Sequence, residues 1–137
     1  MKIQNEIGRK TEKEAAIFFK KHKYLAIPIP KSVNGQPFDI IASRKRDTWF
    51  LDVKHLESDK VSFPFSRIES NQITSMNYAS IVSKISSDRL GFSIKWDREP
   101  EKYFYFSWHK FLECKKNNEK SIKMIELVDI EGLLCTQ

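Results

Sequence analysis

Hydrophobic positions at the start of the chain follow a helical pattern and then an extended one. Residues 3–23 carry an apolar stripe typical of an amphipathic helix, formed by Ala15, Ala16, Phe18, Phe19 and His22. Within this stretch, Thr11 and Glu14 have the spacing of a capping box. Residues 24–30 then alternate apolar side chains and end in Ile-Pro-Ile-Pro, which predicts an edge strand because proline cannot donate to a ladder.

The next part of the chain predicts two adjacent strands. Asn34-Gly35 indicates a tight turn, and residues 37–43 and 48–55 are apolar runs joined by a basic turn at 44–47. Residues 55–65 are polar at first and end in Phe-Pro-Phe, which predicts a loop.

A second helix is predicted over residues 66–86. Ser66 and Glu69 have capping-box spacing, and the apolar stripe that follows consists of Ile68, Met76, Ala79 and Val82. Gln72 lies on the same stripe, so the periodicity alone leaves open whether it is a hydrogen-bonded core amide or a site residue.

The last part of the chain predicts two strands, a short helix and a further strand. The strands cover residues 90–96 and 102–108, Ser107 caps a helix to about Lys116, and residues 122–127 form an edge strand. The order αβββαββα predicts an α/β fold, a mixed β-sheet flanked by helices in a single domain of residues 1–137.

Composition narrows the class of protein. With 137 residues and 40% hydrophobic residues, the chain can form one core and is not disordered. It has no apolar run of about 20 residues and no signal-peptide pattern. Cys114 and Cys135 lack paired metal-ligand spacing, and two thiols do not make a disulfide framework, so we expect a protein of the reducing cytoplasm. The net charge of +6 is compatible with a polyanionic partner.

Three polar residues on the two central strands are candidates for chemistry. Asp52 and Lys54 are two positions apart, so both point to the same face of their strand. If Asp39 lies on the neighbouring strand, its carboxylate meets that of Asp52, and a hard cation such as Mg²⁺ relieves their repulsion. A buried Asp–Lys salt bridge is the structural alternative.

Pro37-Phe38-Asp39, followed after twelve residues by Asp52-Val53-Lys54, resembles the PD-(D/E)XK nuclease superfamily. Residues 63–72, which run from Phe-Pro-Phe to Gln72, look like one branch of it, the RecU-type Holliday junction resolvases. The resemblance implies that Asp39 and Asp52 hold Mg²⁺, with Mn²⁺ as a substitute. It further implies that Lys54 orients the nucleophilic water, that Gln72 supports it, and that the protein is a homodimer.

The first helix adds a further candidate ligand. The segment from Gly8 to Glu12 resembles the opening of many resolvases, which implies that Glu12 completes the metal site. Glu12 and Glu14 differ by about 200° around a helix axis, and Glu14 is assigned to the cap. The chain departs from RecU-type proteins in having His55-Leu56 after the lysine. The segment before Asp39 is also too short for their protruding stalk.

Basic residues in two places are predicted to contact DNA. Arg9 and Lys10 lie on the first helix, and the hairpin turn supplies Arg44, Lys45 and Arg46. A solvated charged surface is the alternative for both groups.

Together these features predict a Mg²⁺-dependent endodeoxyribonuclease. The most specific hypothesis is a Holliday junction resolvase that nicks four-way or other branched DNA during recombination. One alternative is another PD-(D/E)XK nuclease, of repair or restriction type. A second, from a different class, is a catalytically silent DNA-binding or scaffold protein.

Overall fold

A computed structural model describes residues 2–29 and 38–134, with helices on both faces of a sheet. The helices are α1 (Lys2–Lys21), α2 (Ser70–Ile81) and α3 (Trp108–Lys116). The strands are β1 (Leu25–Pro28), β2 (Ile40–Arg44), β3 (Asp47–Leu56), β4 (Ser62–Pro64), β5 (Leu90–Trp96), β6 (Phe104–Ser107), β7 (Ser121–Lys123) and β8 (Val128–Asp129). The predicted turn at Asn34-Gly35 and most of the segment before Asp39 lie outside these residues.

The main sheet has six strands in the order β1-β2-β3-β5-β6-β8. Strands β3 and β5 are parallel, and the other neighbours are antiparallel. The predicted mixed sheet and the edge position of the first strand are therefore observed. In the part of the chain that is described, no helix is long and apolar enough to cross a membrane.

Each face of the sheet is covered by its own hydrophobic core. On one face, Ala15, Ala16 and Phe19 of α1 pack with Trp49, Leu51 and Val53 of β3. On the other, Phe92 of β5 and Phe106 of β6 pack with residues of α2, α3 and the small two-stranded sheet, including Met76, Phe111 and Phe63. Because side chains alternate along a strand, Asp52 and Lys54 face the α2 side.

The predicted capping box at Thr11 is wrong. Helix α1 already begins at Lys2, so Thr11 and Glu14 lie in its interior. The Thr11 hydroxyl donates to the carbonyl of Ile7 at 2.8 Å, one turn back. Glu14 instead forms an ion pair with Lys95, with 3.3 Å between the carboxylate and the ammonium.

The second helix is shorter than predicted. Residues Phe65–Arg67 form a 3₁₀ turn, Glu69 is the N-cap, and α2 ends at Ile81 rather than near Ser86. Burial explains the later start, since Phe65 and Ile68 are both about 5% exposed and the extended backbone at Ile68 lets both reach the core. Val82, predicted to lie on the apolar stripe, is 58% exposed.

The later elements agree with prediction in part. Strand β5 has the predicted bounds, and the Ser107 hydroxyl oxygen accepts the backbone N–H of Lys110 at 3.1 Å as the α3 cap. The predicted strand at 122–127 is instead the short β7, followed by a 3₁₀ turn at Met124–Glu126. Strand β7 pairs with β4, which lies in the predicted loop, and forms a separate two-stranded sheet.

Gly91 is required for the close approach of β5 and β6. A Cβ atom at Gly91 would overlap the carbonyl oxygen of Phe106 and come within 2.9 Å of the Tyr105 hydroxyl oxygen. We therefore expect Gly91→Ala to lower the free energy of unfolding by about 1–3 kcal/mol in urea denaturation. Gly132→Ala is the control, because a Cβ there meets nothing within 4 Å. Equal midpoints for the two variants would contradict this packing argument.

Candidate active site

Asp39 and Asp52 meet where β2 begins beside β3. Ile40 pairs with Leu51, and continuing this antiparallel register places Asp39 opposite Asp52. The carboxylate of Asp39 accepts the backbone N–H of Val53 at 2.7 Å, and the Asp39 N–H donates to the carbonyl of Leu51 at 2.9 Å. The side chain thus accepts from a β3 N–H beyond the paired end of β2. This contact fixes the carboxylate beside Asp52.

Asp52 is the most deeply buried carboxylate of the group, with 1% of its side chain exposed. Its Oδ1 accepts from Gln72 Nε2 at 2.9 Å, whereas its Oδ2 is buried without a hydrogen-bond partner among the described residues. Burial raises the pKa of Asp52 well above its ordinary value of 3.8, and the neighbouring Asp39 carboxyl raises it further, while Lys54 acts in the opposite direction. The site therefore holds a carboxyl whose negative charge is incompletely compensated.

Lys54 lies between Asp52 and Gln72. Its ammonium is 3.5 Å from Asp52 Oδ2 and donates to Gln72 Oε1 at 3.0 Å, and 14% of its side chain is exposed. The contact with Gln72 is a hydrogen bond, whereas the 3.5 Å approach to Asp52 Oδ2 is an ion pair without hydrogen-bond geometry. Because an ammonium has three donors, capacity is left for a water or a phosphate oxygen.

Gln72 connects the site to the first turn of α2. Its Oε1 accepts from the backbone N–H of Glu69 and from Lys54 Nζ, both at 3.0 Å. Because both partners are donors, the amide oxygen must face them, and Nε2 is directed at Asp52. The helix start thereby sets the orientation of the glutamine. Gln72 is therefore both a hydrogen-bonded buried amide of α2 and a direct neighbour of the predicted site residues Asp52 and Lys54.

The third predicted metal ligand, Glu12, comes from a helix rather than from the strands. It lies on α1 and is partly buried, and no three Asp, Glu, His or Cys side chains within residues 2–29 and 38–134 form a group that could hold a metal ion. The structure thus brings together Asp39, Asp52, Lys54 and Gln72 without adding Glu12 as a third ligand. Its metal-binding role stays a prediction.

The carboxylates of Asp39 and Asp52 fit a hard divalent cation. Carboxylates are preferred ligands of Mg²⁺, which binds through one or two of them and completes its shell with water and phosphate oxygens. The buried Oδ2 of Asp52 lacks a hydrogen-bond donor, and the pKa of Asp52 is raised by its surroundings. A cation beside these oxygens would supply the missing positive charge.

The predicted DNA-contacting residues occupy two surfaces. Arg9 and Lys10 are exposed on α1, and Lys45 and Arg46 are exposed at the β2–β3 turn, while Arg44 is partly buried. The turn adjoins the first residue of β3, Asp47, whereas Asp52 and Lys54 lie in the second half of the strand. Sequence reasoning missed Arg89, which contacts this turn region from 42 positions further along the chain through Asp47.

Replacing Gln72 tests the connection between α2 and the site. Gln72→Met keeps the length of the side chain but leaves Asp52 Oδ1 and the Glu69 N–H without their partner. We expect the protein to lose about 1–3 kcal/mol of stability and any metal-dependent nicking to fall about 10–100-fold. Asn77→Met, at an exposed position of α2, should change stability by less than about 0.5 kcal/mol. Full nicking by Gln72→Met would contradict the positioning role.

The mixed sheet that lies between α1 and the α2–α3 layer is similar to the fold of a solved nuclease structure, Hjc. One similar solved structure is Hjc of Archaeoglobus fulgidus, a Holliday junction resolvase from an archaeal hyperthermophile. It matches with a TM-score of 0.62 and 15% sequence identity, covering 92% of this chain and 93% of that one. No protein-family model and no curated protein matches the chain. The likeness shows a shared fold and does not select the RecU-type branch.

Proposed function

We propose that the protein is a metal-dependent endodeoxyribonuclease that nicks branched DNA, with the four-way junction as its preferred substrate. The observation that carries this proposal is the contact network of Asp39, Asp52, Lys54 and Gln72. The likeness to Hjc supports it by showing that this network lies in a fold that a Holliday junction resolvase also has. The RecU-type resemblance of residues 63–72 gives further support to the choice of branched DNA.

Asp39 and Asp52 are the residues that would hold Mg²⁺ or Mn²⁺. The ion would supply Lewis acidity and a more acidic bound water. The protein contributes rigid placement, because Asp39 is anchored on the Val53 N–H and Asp52 on Gln72. Glu12 is proposed to assist from α1, directly or through water.

Lys54 has two functions in this proposal. Its ammonium partly compensates the buried carboxylate of Asp52, and its remaining donor orients the attacking water or the scissile phosphate. Gln72 restricts the ammonium to this position, because Lys54 Nζ donates a 3.0 Å hydrogen bond to Gln72 Oε1. Gln72 is thus a positioning residue, whereas Lys54 touches the reacting groups.

Affinity for DNA is proposed to come from dispersed cations rather than from the catalytic cluster. The candidates are Arg9, Lys10, Arg44, Lys45 and Arg46, within a chain of net charge +6. By resemblance we propose a cytoplasmic homodimer in which each protomer nicks one strand. The short segment before Asp39 leaves junction preference to dimer spacing and basic surface. We therefore expect a smaller preference for junctions than a stalk would provide.

Two alternative functions make different predictions from the same site. A general PD-(D/E)XK nuclease of repair or restriction type would cut linear duplex as readily as a junction. A silent DNA-binding protein would use the Asp52–Lys54 ion pair only for folding. The ion pair at 3.5 Å is the observation that favours this second alternative.

A nicking assay on labelled DNA separates these functions. We expect cleavage of a four-way junction with Mg²⁺ or Mn²⁺, binding without turnover in Ca²⁺, and no cleavage in EDTA. With about six phosphate contacts, junction affinity should fall with salt at a log–log slope near −5. Cleavage in EDTA would rule out the metal mechanism. Equal competition by duplex at every salt concentration would replace the resolvase by the general nuclease.

A further inference from the structure

A basic depression lies beside the β2–β3 turn, at one end of the main sheet. It has a volume of about 460 Å³ and is lined by Lys45, Arg46, Asp47, Arg89 and Leu133. Lys45 and Arg46 are the two turn residues between β2 and β3, and both are exposed. Arg89, which directly precedes β5, also lines the depression. Three cations thus surround one carboxylate, which leaves a net positive charge.

The guanidinium of Arg89 is held in place from two sides. Its Nε donates to Asp47 Oδ1 at 2.9 Å, and its central carbon lies 4.4 Å from the ring centroid of Trp49. The Arg89 carbonyl also accepts the Phe50 N–H at 2.8 Å, which fixes the backbone. Because the contact with Asp47 uses Nε, it leaves the two terminal nitrogens for another acceptor.

Asp47 itself is committed to its neighbours. Burial opposes its ionisation, but hydrogen bonds from Tyr24, Trp49 and Arg89 together lower the pKa of Asp47 below 3.8. The Trp49 indole donates to Oδ2 at 2.9 Å, and the Tyr24 hydroxyl donates to the same oxygen. The carboxylate therefore acts as a support for Arg89, with both oxygens already engaged by donors.

The depression is separate from the catalytic cluster. Asp47 and Asp52 are five residues apart on β3, which corresponds to about 17 Å of strand. Asp47 shares its strand face with Trp49 and Leu51, whereas Asp52 lies on the opposite face. A ligand here would not contact Asp39, Asp52 or Lys54.

We infer that this depression is a phosphate-binding site in which Arg89 is a prepositioned fork and Lys45 and Arg46 supply additional charge. A planar guanidinium held by a carboxylate and an indole loses little freedom when it binds a phosphate through paired hydrogen bonds. The phosphate would be a diester of the DNA backbone or a free phosphate group. The first source rests on the proposed function, in which the site would grip DNA away from the cleaved bond. The second does not.

Phosphate binding is tested on the ¹⁵N-labelled full chain by NMR. Inorganic phosphate is added at constant ionic strength while the Arg89 Nε–H and Trp49 indole N–H signals are followed. We expect both to shift and saturate, whereas the Trp96 indole N–H, bonded to the carbonyl of Lys60 at 2.9 Å, stays unchanged. The double variant Lys45→Gln/Arg46→Gln should bind phosphate about threefold more weakly, because two exposed charges are lost.

The same variants distinguish the source of the phosphate. Junction binding is measured in EDTA, so that the result is independent of cleavage. If the ligand is DNA backbone, Lys45→Gln/Arg46→Gln should reduce the salt slope by about 2. The matched control Lys116→Gln/Lys120→Gln removes two exposed charges elsewhere and should leave the slope unchanged. Arg89→Lys keeps the charge but not the fork and should also weaken phosphate binding.

The outcomes separate this inference from the nuclease proposal. Phosphate shifts with a reduced DNA slope support a backbone site, and phosphate shifts with unchanged DNA binding support a site for a free phosphate group. Either result stands even if no nicking is found. Absence of saturable shifts at Arg89 and Trp49, or phosphate affinity unaffected by both Arg89→Lys and the double variant, overturns the inference.

Discussion

Asp52→Asn should abolish nicking and, in the absence of metal, make the protein more stable. The variant removes a predicted metal ligand, for which we expect a loss of more than about 100-fold in turnover. It also removes a carboxyl whose pKa is raised mainly by burial and additionally by the neighbouring Asp39. The ionised form of Asp52 is therefore unfavourable in the folded state. Asparagine keeps an oxygen for Gln72 Nε2. We expect a gain of about 1–3 kcal/mol in EDTA.

Nicking and urea denaturation on the same preparations check this expectation. Adding Mg²⁺ should stabilise the wild type, by about 2.7 kcal/mol at a hundredfold excess over Kd, and should stabilise Asp52→Asn much less. Asp59→Asn, at a carboxylate whose side chain is 76% exposed, is the control and should match the wild type. Near-normal nicking by Asp52→Asn would remove Asp52 from the site. A loss of stability in EDTA would mean that the carboxylate is structural.

Asp47→Asn should have the opposite effect on stability. Asp47 accepts hydrogen bonds from Tyr24, Trp49 and Arg89, and an asparagine has only one acceptor oxygen for them. Hydrogen bonds to a charged group contribute about 1.5–3 kcal/mol each, so we expect a loss of about 2–3 kcal/mol. Asp59→Asn again serves as the control. A change below about 0.5 kcal/mol would show that the network adds nothing to folding.

The pH dependence of this second effect has a definite sign. The pKa of Asp47 is lowered below 3.8 in the folded protein, so its contribution to stability is complete once the pH is about one unit above the unfolded value of 3.8. The contribution is lost as the pH falls through the lowered folded pKa. The difference in unfolding free energy between wild type and Asp47→Asn should therefore be constant from pH 5 to 7 and shrink towards pH 2. A difference that grows on acidification would contradict the assignment.

The candidate site was predictable in so far as it depends on local periodicity. Asp52 and Lys54 share a face because strand side chains alternate, and the basic turn predicts that the strand bearing Asp39 pairs with theirs. Gln72 was found on the correct helix, but its partners were not. The Ser66–Glu69 and Glu69–Gln72 pairs both have capping-box spacing, and only the burial of Phe65 and Ile68 selects the second.

The sequence by itself determined the main helices and strands and the pairing of Asp39 with the Asp52-Val53-Lys54 strand, because periodicity and turn residues act over short distances. The mixed sheet followed from the order of these elements. Only the tertiary structure decided which side chains meet across the fold. The Asp47–Arg89 contact joins residues 42 apart, and the β4–β7 sheet joins segments on either side of α2 and α3. Such contacts depend on how the layers pack around two cores, and no local pattern encodes that packing.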